Sequence, residues 1–176
     1  MTRRRAWRVV AIVAAVAAPS LMGCGEDEPA VEDPSEHACE HRSIAGAALA
    51  SSAERATAPT ITVGEETYTV TPSATERTYL RVVVTRDTPA LLFTSVANVV
   101  TGLYEGDARV TLPAGAPNEL CAAEIPEHFD LDFHEAGDWF IELGPSAVPS
   151  FWLLLTEATG HAHEALVQSP SPPAAR

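Results

Sequence analysis

The amino-acid sequence predicts an all-β fold: a single antiparallel β-sandwich with a disordered N-terminal tether and a disordered C-terminal tail. Three observations lead there. Seven short runs between Thr67 and Leu155 are rich in β-branched, aromatic and leucine residues. Clusters of Gly, Pro, Asp and Asn punctuate those runs at turn-like intervals. The segments on either side carry Glu, Asp and Pro with few large apolar side chains, too few to offset the entropy of ordering the chain.

Taken in order, Thr67-Tyr68-Thr69-Val70 is the first predicted strand. Tyr79 to Thr85 follows, with Leu80, Val82 and Val84 on one face because side chains alternate along a strand. Ala90–Ser95 and Val99–Tyr104 are two further short apolar runs. Phe129-Asp130-Leu131-Asp132-Phe133 alternates strictly, which turns Phe129, Leu131 and Phe133 to the core and both aspartates to water. Trp139–Leu143 and Phe151–Leu155 complete the set. Turns are expected at Arg86–Pro89, Glu105–Asp107, Pro113–Asn118, Glu135–Asp138 and Gly144–Ser146. One segment, Ile44–Thr57, is rich in alanine; it reads as a short helix or as an extended lead-in ended by Pro59.

The N-terminus is of a different kind. Arg3, Arg4, Arg5 and Arg8 precede an apolar run, Val9–Ala18, of the length of a signal-peptide core and far short of the ~20 residues a spanning helix needs. Leu21-Met22-Gly23-Cys24 then resembles the lipobox of bacterial lipoproteins, in which a dedicated peptidase cuts before a diacylated cysteine. The resemblance implies that residues 1–23 are a signal peptide, that Cys24 carries lipid and that the mature chain is tethered to a membrane outside the cytoplasm, at the cell envelope. Gly25, rather than Asp, resembles the outer-membrane pattern of Gram-negative lipoproteins. Residues 24–37 read as an acidic tether, 38–158 as the sandwich domain and 159–176 as a His- and Pro-containing tail.

Removing the signal leaves seven arginines, no lysine and 24 carboxylates, a formal charge of about −17. Such a surface is a poor partner for nucleic acid, whose affinity comes from Lys and Arg on phosphates. Cations, basic proteins and neutral glycans remain open, so the expected partner is an envelope protein or a glycan.

Residues from about Tyr68 to Leu155 resemble the bacterial pre-peptidase C-terminal domain and related jelly-roll modules. The resemblance lies in Tyr79–Val84, in Asn98–Gly106 with its Leu103-Tyr104 pair, and in Phe133–Leu143 with Ala136-Gly137-Asp138-Trp139-Phe140-Ile141. It implies a jelly-roll-like, non-catalytic sandwich used for binding or stabilisation.

With Cys24 assigned to lipid, Cys39 and Cys121 remain as an even pair, and an exported compartment permits a disulfide between them. It would close a loop of about 80 residues and contribute roughly 4 kcal/mol on the loop-entropy model. The alternative is metal ligation. His37 and His41 flank Cys39 at one end, and His161 and His163 form a His-x-His pair at the other. Convergence of the four would suit a Zn, Cu or Ni ion; otherwise they are solvated surface side chains and no cofactor is expected. His128 and His134 read as exposed residues at the ends of a strand. No catalytic residue is assigned, since the chain has no Gly-x-Ser-x-Gly elbow, no His-Glu-x-x-His helix and no phosphate-binding glycine loop. His134-Glu135-Ala136-Gly137-Asp138 begins like the zinc motif but lacks its second histidine. The functional readings, in order, are a binding or structural lipoprotein, a metal-binding lipoprotein and a hydrolase of unrecognised type.

Overall fold

A computed structural model describes residues 33–159. Ten strands form two five-stranded sheets packed face to face. The strands are β1 (Ala47–Ala50), β2 (Thr60–Ile61), β3 (Thr67–Thr71), β4 (Thr78–Val84), β5 (Thr88–Thr94), β6 (Val100–Glu105), β7 (Ala108–Val110), β8 (Glu127–Phe133), β9 (Gly137–Leu143) and β10 (Phe151–Glu157). The first sheet runs β1-β3-β10-β5-β8 and the second β2-β4-β9-β6-β7. Within this array β3 to β10 follow the double Greek-key winding of a jelly roll, all paired antiparallel.

The sandwich is not antiparallel throughout. β1 pairs with β3 and β2 pairs with β4 in parallel. The chain crosses from one sheet to the other at each of these steps, so two reversals separate each pair and the partners run the same way.

All seven sequence-predicted strands are present. The alanine-rich segment is the extended lead-in, not a helix: it supplies β1 and then a single 3₁₀ turn, Arg55–Thr57. Pairing with β3 overrides alanine's helix preference there. Gly46 permits the close approach, since a Cβ at that position would lie 2.5 Å from the backbone of Thr67 and Tyr68. The helix forms earlier, at α1 (Pro34–His41), so residues 34–37 belong to a folded element and not to the tether that composition suggested. Its start follows simple rules: Asp33 caps it by accepting a hydrogen bond from the Ser35 backbone N–H, and Pro34 opens it.

Between the sheets lies the main core, with Leu80, Val82, Trp139, Ile141 and Leu143 from one sheet and Leu92, Phe129, Leu131, Phe133, Leu153 and Leu155 from the other. Phe129, Leu131 and Phe133 point inward and Asp130 and Asp132 outward, as the alternation requires. A second, smaller core sits on the outer face of the first sheet. There Phe93, Trp152 and Leu154 are covered by Ala38 of α1 and by Ile125. β5 and β10 are therefore apolar on both faces, which is why their sequences read as continuous runs.

A disulfide, Cys39–Cys121, clamps α1 to the loop that carries Ile125, with Cα atoms 5.9 Å apart. It links the segment before the sandwich to the loop before Phe129, as the sequence reading anticipated. The closed loop spans a separation of 82 residues. The double substitution Cys39→Ser/Cys121→Ser is expected to destabilise the domain by about 2–4 kcal/mol. Hydrogen exchange checks where: amides of α1 should lose protection first, while those of β9 keep theirs.

Candidate functional site

Three constellations of polar side chains stand out, one on each outer face and one at an open edge. The first is built on the outer face of the second sheet around Glu142. β9 presents Trp139, Ile141 and Leu143 to the core, so Phe140 and Glu142 face outward. Glu142 is nevertheless 1% exposed. Its Oε2 accepts hydrogen bonds from the hydroxyls of Tyr104 at 2.9 Å and Tyr79 at 3.3 Å, and its Oε1 accepts one from Thr101 at 3.1 Å. The Arg109 and Arg77 guanidinium groups approach Oε1 to 3.9 and 4.0 Å. Gly102 stands opposite Glu142 in the ladder, and a Cβ there would press on the carboxylate and on Arg109 at 3.2 Å.

Over this floor lies the strap that joins β1 to β2. Arg55 of the 3₁₀ turn places its guanidinium 4.8 Å from the centre of the Tyr104 ring and 5.8–5.9 Å from those of Phe140 and Tyr79. It also donates to the Gly106 carbonyl at 2.8 Å and pairs with Asp107 at 3.3 Å. The cluster is closed over by its own residues, so its chemistry is that of a fastening: buried charge, hydroxyl donors and stacked rings fix the strap on the sheet. Burial, with the hydrogen bond to Glu142 as the next cause, pushes the pKa of the Tyr104 hydroxyl up.

The second constellation contains two predicted ligands. His37 and His41 are one turn apart on α1, with ring centroids 4.0 Å from each other. His37 is buried, next in sequence to Ala38 of the second core. The expected partners His161 and His163, like the lipidation residue Cys24, lie outside the described residues. The thiols of Cys39 and Cys121 are committed to the disulfide and do not ligate metal. His128 is not loop-exposed: it lies within β8, half-buried, and stacks on Phe93 at 5.6 Å.

The third constellation lies where the two sheets part at the β8 and β7 edges. A cleft of about 260 Å³ opens there, walled by Leu103, Val110 and Trp139 and by the outward row Asp130, Asp132 and His134. His134 packs edge-on to Trp139 at 5.3 Å, and its Nε2 is 3.7 Å from Oε2 of Glu105, the last residue of β6. Glu135 joins them, and one ligand atom from each of the three lies within 4.8 Å of the others. The turn that carries Glu135 is held from beneath, since the Trp139 indole N–H donates to the Glu135 carbonyl at 3.1 Å.

Sequence reasoning placed His134, Asp130 and Asp132 correctly as exposed, yet missed both their grouping with Glu105 and the burial of Glu142. A signal for Glu142 was present: a carboxylate inside Trp139-Phe140-Ile141-Glu142-Leu143 is out of keeping with a run otherwise apolar. Glu105 and His134 are distant in sequence and carried no such mark. The chain matches no protein-family model and no curated protein. Among the described residues no helix is long and apolar enough to cross a membrane.

Two outcomes test the Glu142 fastening. Glu142→Ala leaves three hydroxyls without their acceptor and two guanidinium groups without their counter-charge, and is expected to cost about 3 kcal/mol in urea unfolding. The raised Tyr104 pKa also sets a direction with pH. The unfolded chain gives up this proton first, so the hydroxyl's contribution is complete below the ordinary tyrosine value of about 10 and declines as pH rises through the higher folded value. Tyr104→Phe should therefore be less stable than the parent at pH 8 and should lose less of its stability between about pH 10 and 12.

Proposed function

We propose that this chain is a lipid-anchored, extracytoplasmic lipoprotein whose jelly-roll domain is a non-catalytic binding or structural module of the cell envelope. The observation that carries the reading is the Cys39–Cys121 bridge. A disulfide persists in an oxidising compartment and is reduced in the cytosol of most cells. It leaves Cys24, in the lipobox-like Leu21-Met22-Gly23-Cys24, as the odd cysteine available for acylation.

The arrangement suits a tethered domain. Residues 25–32 precede the Asp33 cap of α1, so the described domain begins within about 30 Å of Cys24 even on a fully extended chain. Tension on the anchor would enter through α1, and the bridge would pass it directly to the sandwich. The mature chain's charge of about −17 favours cationic, basic or neutral partners over nucleic acid and anionic lipid. The likeness of Tyr79–Val84 and Phe133–Leu143 to the pre-peptidase C-terminal domain supports a binding role in place of catalysis.

Metabolic labelling with radioactive palmitate in a bacterial host tests the anchor. The parent chain should take up label and sediment with membranes, whereas Cys24→Ala should do neither. An unlabelled parent, or equal labelling of the two chains, would remove the lipoprotein reading.

A further inference from the structure

We infer that Glu105, His134 and Glu135 form a divalent-cation site, with Zn²⁺ the ion that suits the donors, which braces the turn between β8 and β9 against the end of β6. The inference deepens the reading of the domain as a binding module and does not depend on the lipid anchor.

Three features carry it. The first is the donor set and its spacing. One imidazole nitrogen and two carboxylates lie mutually within 4.8 Å. Two ligands each about 2.1 Å from a tetrahedral ion stand about 3.4 Å apart. The 3.7 Å between His134 Nε2 and Glu105 Oε2 is already close to that value, and Glu135 closes the remaining gap by rotating an exposed, flexible side chain. Imidazole with carboxylate suits Zn²⁺, whereas Ca²⁺ and Mg²⁺ prefer an all-oxygen shell.

The second feature is charge. Asp130 and Asp132 line the same cleft as His134, and Glu105 and Glu135 group with that histidine. Among the described residues Asp130, Asp132 and Glu135 form no ion pair, in contrast to Asp138, which is held by Arg81 at 2.6 Å. Two carboxylates beside one imidazole repel each other in the absence of a cation, the aspartate row along β8 adds negative potential, and a bound dication relieves both.

Topology is the third. Glu105 ends β6 in the second sheet, while His134 and Glu135 follow directly on β8, the edge strand of the first. β8 and β7 share no backbone ladder; the segment after β7 meets β8 through the isolated Ala116–His128 bridge, at the end of the strand remote from His134. His134 and Glu135 lie in the turn that carries the chain from β8 into β9, and Glu105 stands opposite Trp139 in the β6–β9 ladder, so an ion held by the three would fasten this turn to the end of β6. Three protein ligands leave further coordination positions for water, or for a donor group presented by a partner at the cleft.

The site is separate from the terminal histidines, and the test keeps them apart. The full-length chain, purified without a polyhistidine tag, is titrated with ZnCl₂ by calorimetry and by intrinsic fluorescence, with CaCl₂ as the control ion. Four variants are compared: His134→Ala, Glu105→Gln/Glu135→Gln, His37→Ala/His41→Ala and His161→Ala/His163→Ala. The expected result is one Zn²⁺ per chain with micromolar affinity, a rise in Tm that EDTA reverses and a change in emission from Trp139, which His134 touches. His134→Ala and the double glutamine variant should bind at least about 10-fold more weakly, the lower end of what loss of even a supporting partner costs at metal sites. Both terminal-histidine variants should bind as the parent does. His134 and Glu135 are exposed and Glu105 is half-buried, so circular dichroism and the Tm in EDTA should change little and a folding defect would be visible as such. Absence of stoichiometric Zn²⁺ binding overturns the inference, as does binding that survives His134→Ala or is lost with the terminal histidines. None of these outcomes bears on palmitate labelling, so the anchor and the metal site stand or fall separately.

Discussion

The constraint on which the rest of the structure depends is that the jelly roll's most buried strands are apolar, or closely packed, on both faces. β10 contributes Phe151, Leu153 and Leu155 to the main core and Trp152 and Leu154 to the opposite face. β9 does the same with Trp139, Ile141 and Leu143 inside and Phe140 and Glu142 outside. Two sheets packed together cover only their inner faces, so a further layer is needed on each outer face. The residues before β3 supply most of it, with Ile125 of the β7–β8 loop added on the first sheet. α1 covers the first sheet, and the strap between β1 and β2 covers the second. The parallel edge pairings follow from the same path, because a chain that visits both outer faces before entering the jelly roll adds one strand to each sheet as it passes.

The two coats are fastened by different physics. On the first sheet the interface is apolar, and a covalent bridge holds a helix of eight residues that could not stand alone. On the second sheet the fastening is electrostatic. Glu142 is buried, and desolvating a carboxylate is expensive unless every lone pair is engaged. Three hydroxyls donate to its oxygens, two guanidinium groups stand about 4 Å away as counter-charges, and Arg55 stacks above the Tyr104 ring. A buried charge of this kind adds little net stability over an apolar replacement. Its value lies in position: only one seating of the strap brings Arg55 over Tyr104 and within reach of both Gly106 and Asp107.

Neither coat reaches the edge where β8 and β7 part. The acidic row of Asp130 and Asp132, with His134 at its end, is left facing a cleft in place of a covering element. An open edge is a liability for a β-protein, and charged side chains along it discourage pairing with other chains. The inferred cation site lies at one end of this row, in the turn from β8 into β9.

By itself the sequence determined the fold class, the seven long strands and the inward set Phe129, Leu131 and Phe133, because a strand's side-chain alternation is a local property of the backbone. It also offered Cys39 and Cys121 as a disulfide pair if Cys24 carries lipid, with metal ligation as the alternative, and the bridge in the structure decided between the two. The parallel pairing of β1 and β2, the strand fate of the alanine-rich segment and the short helix at Pro34–His41 were decided only by tertiary structure. Each depends on what the segment packs against, and local propensity there is weak or points elsewhere. The candidate site was decided in the same way. Glu105 and His134 are separated by β7, a long loop and β8, and only the winding of the jelly roll brings the end of β6 beside the end of β8.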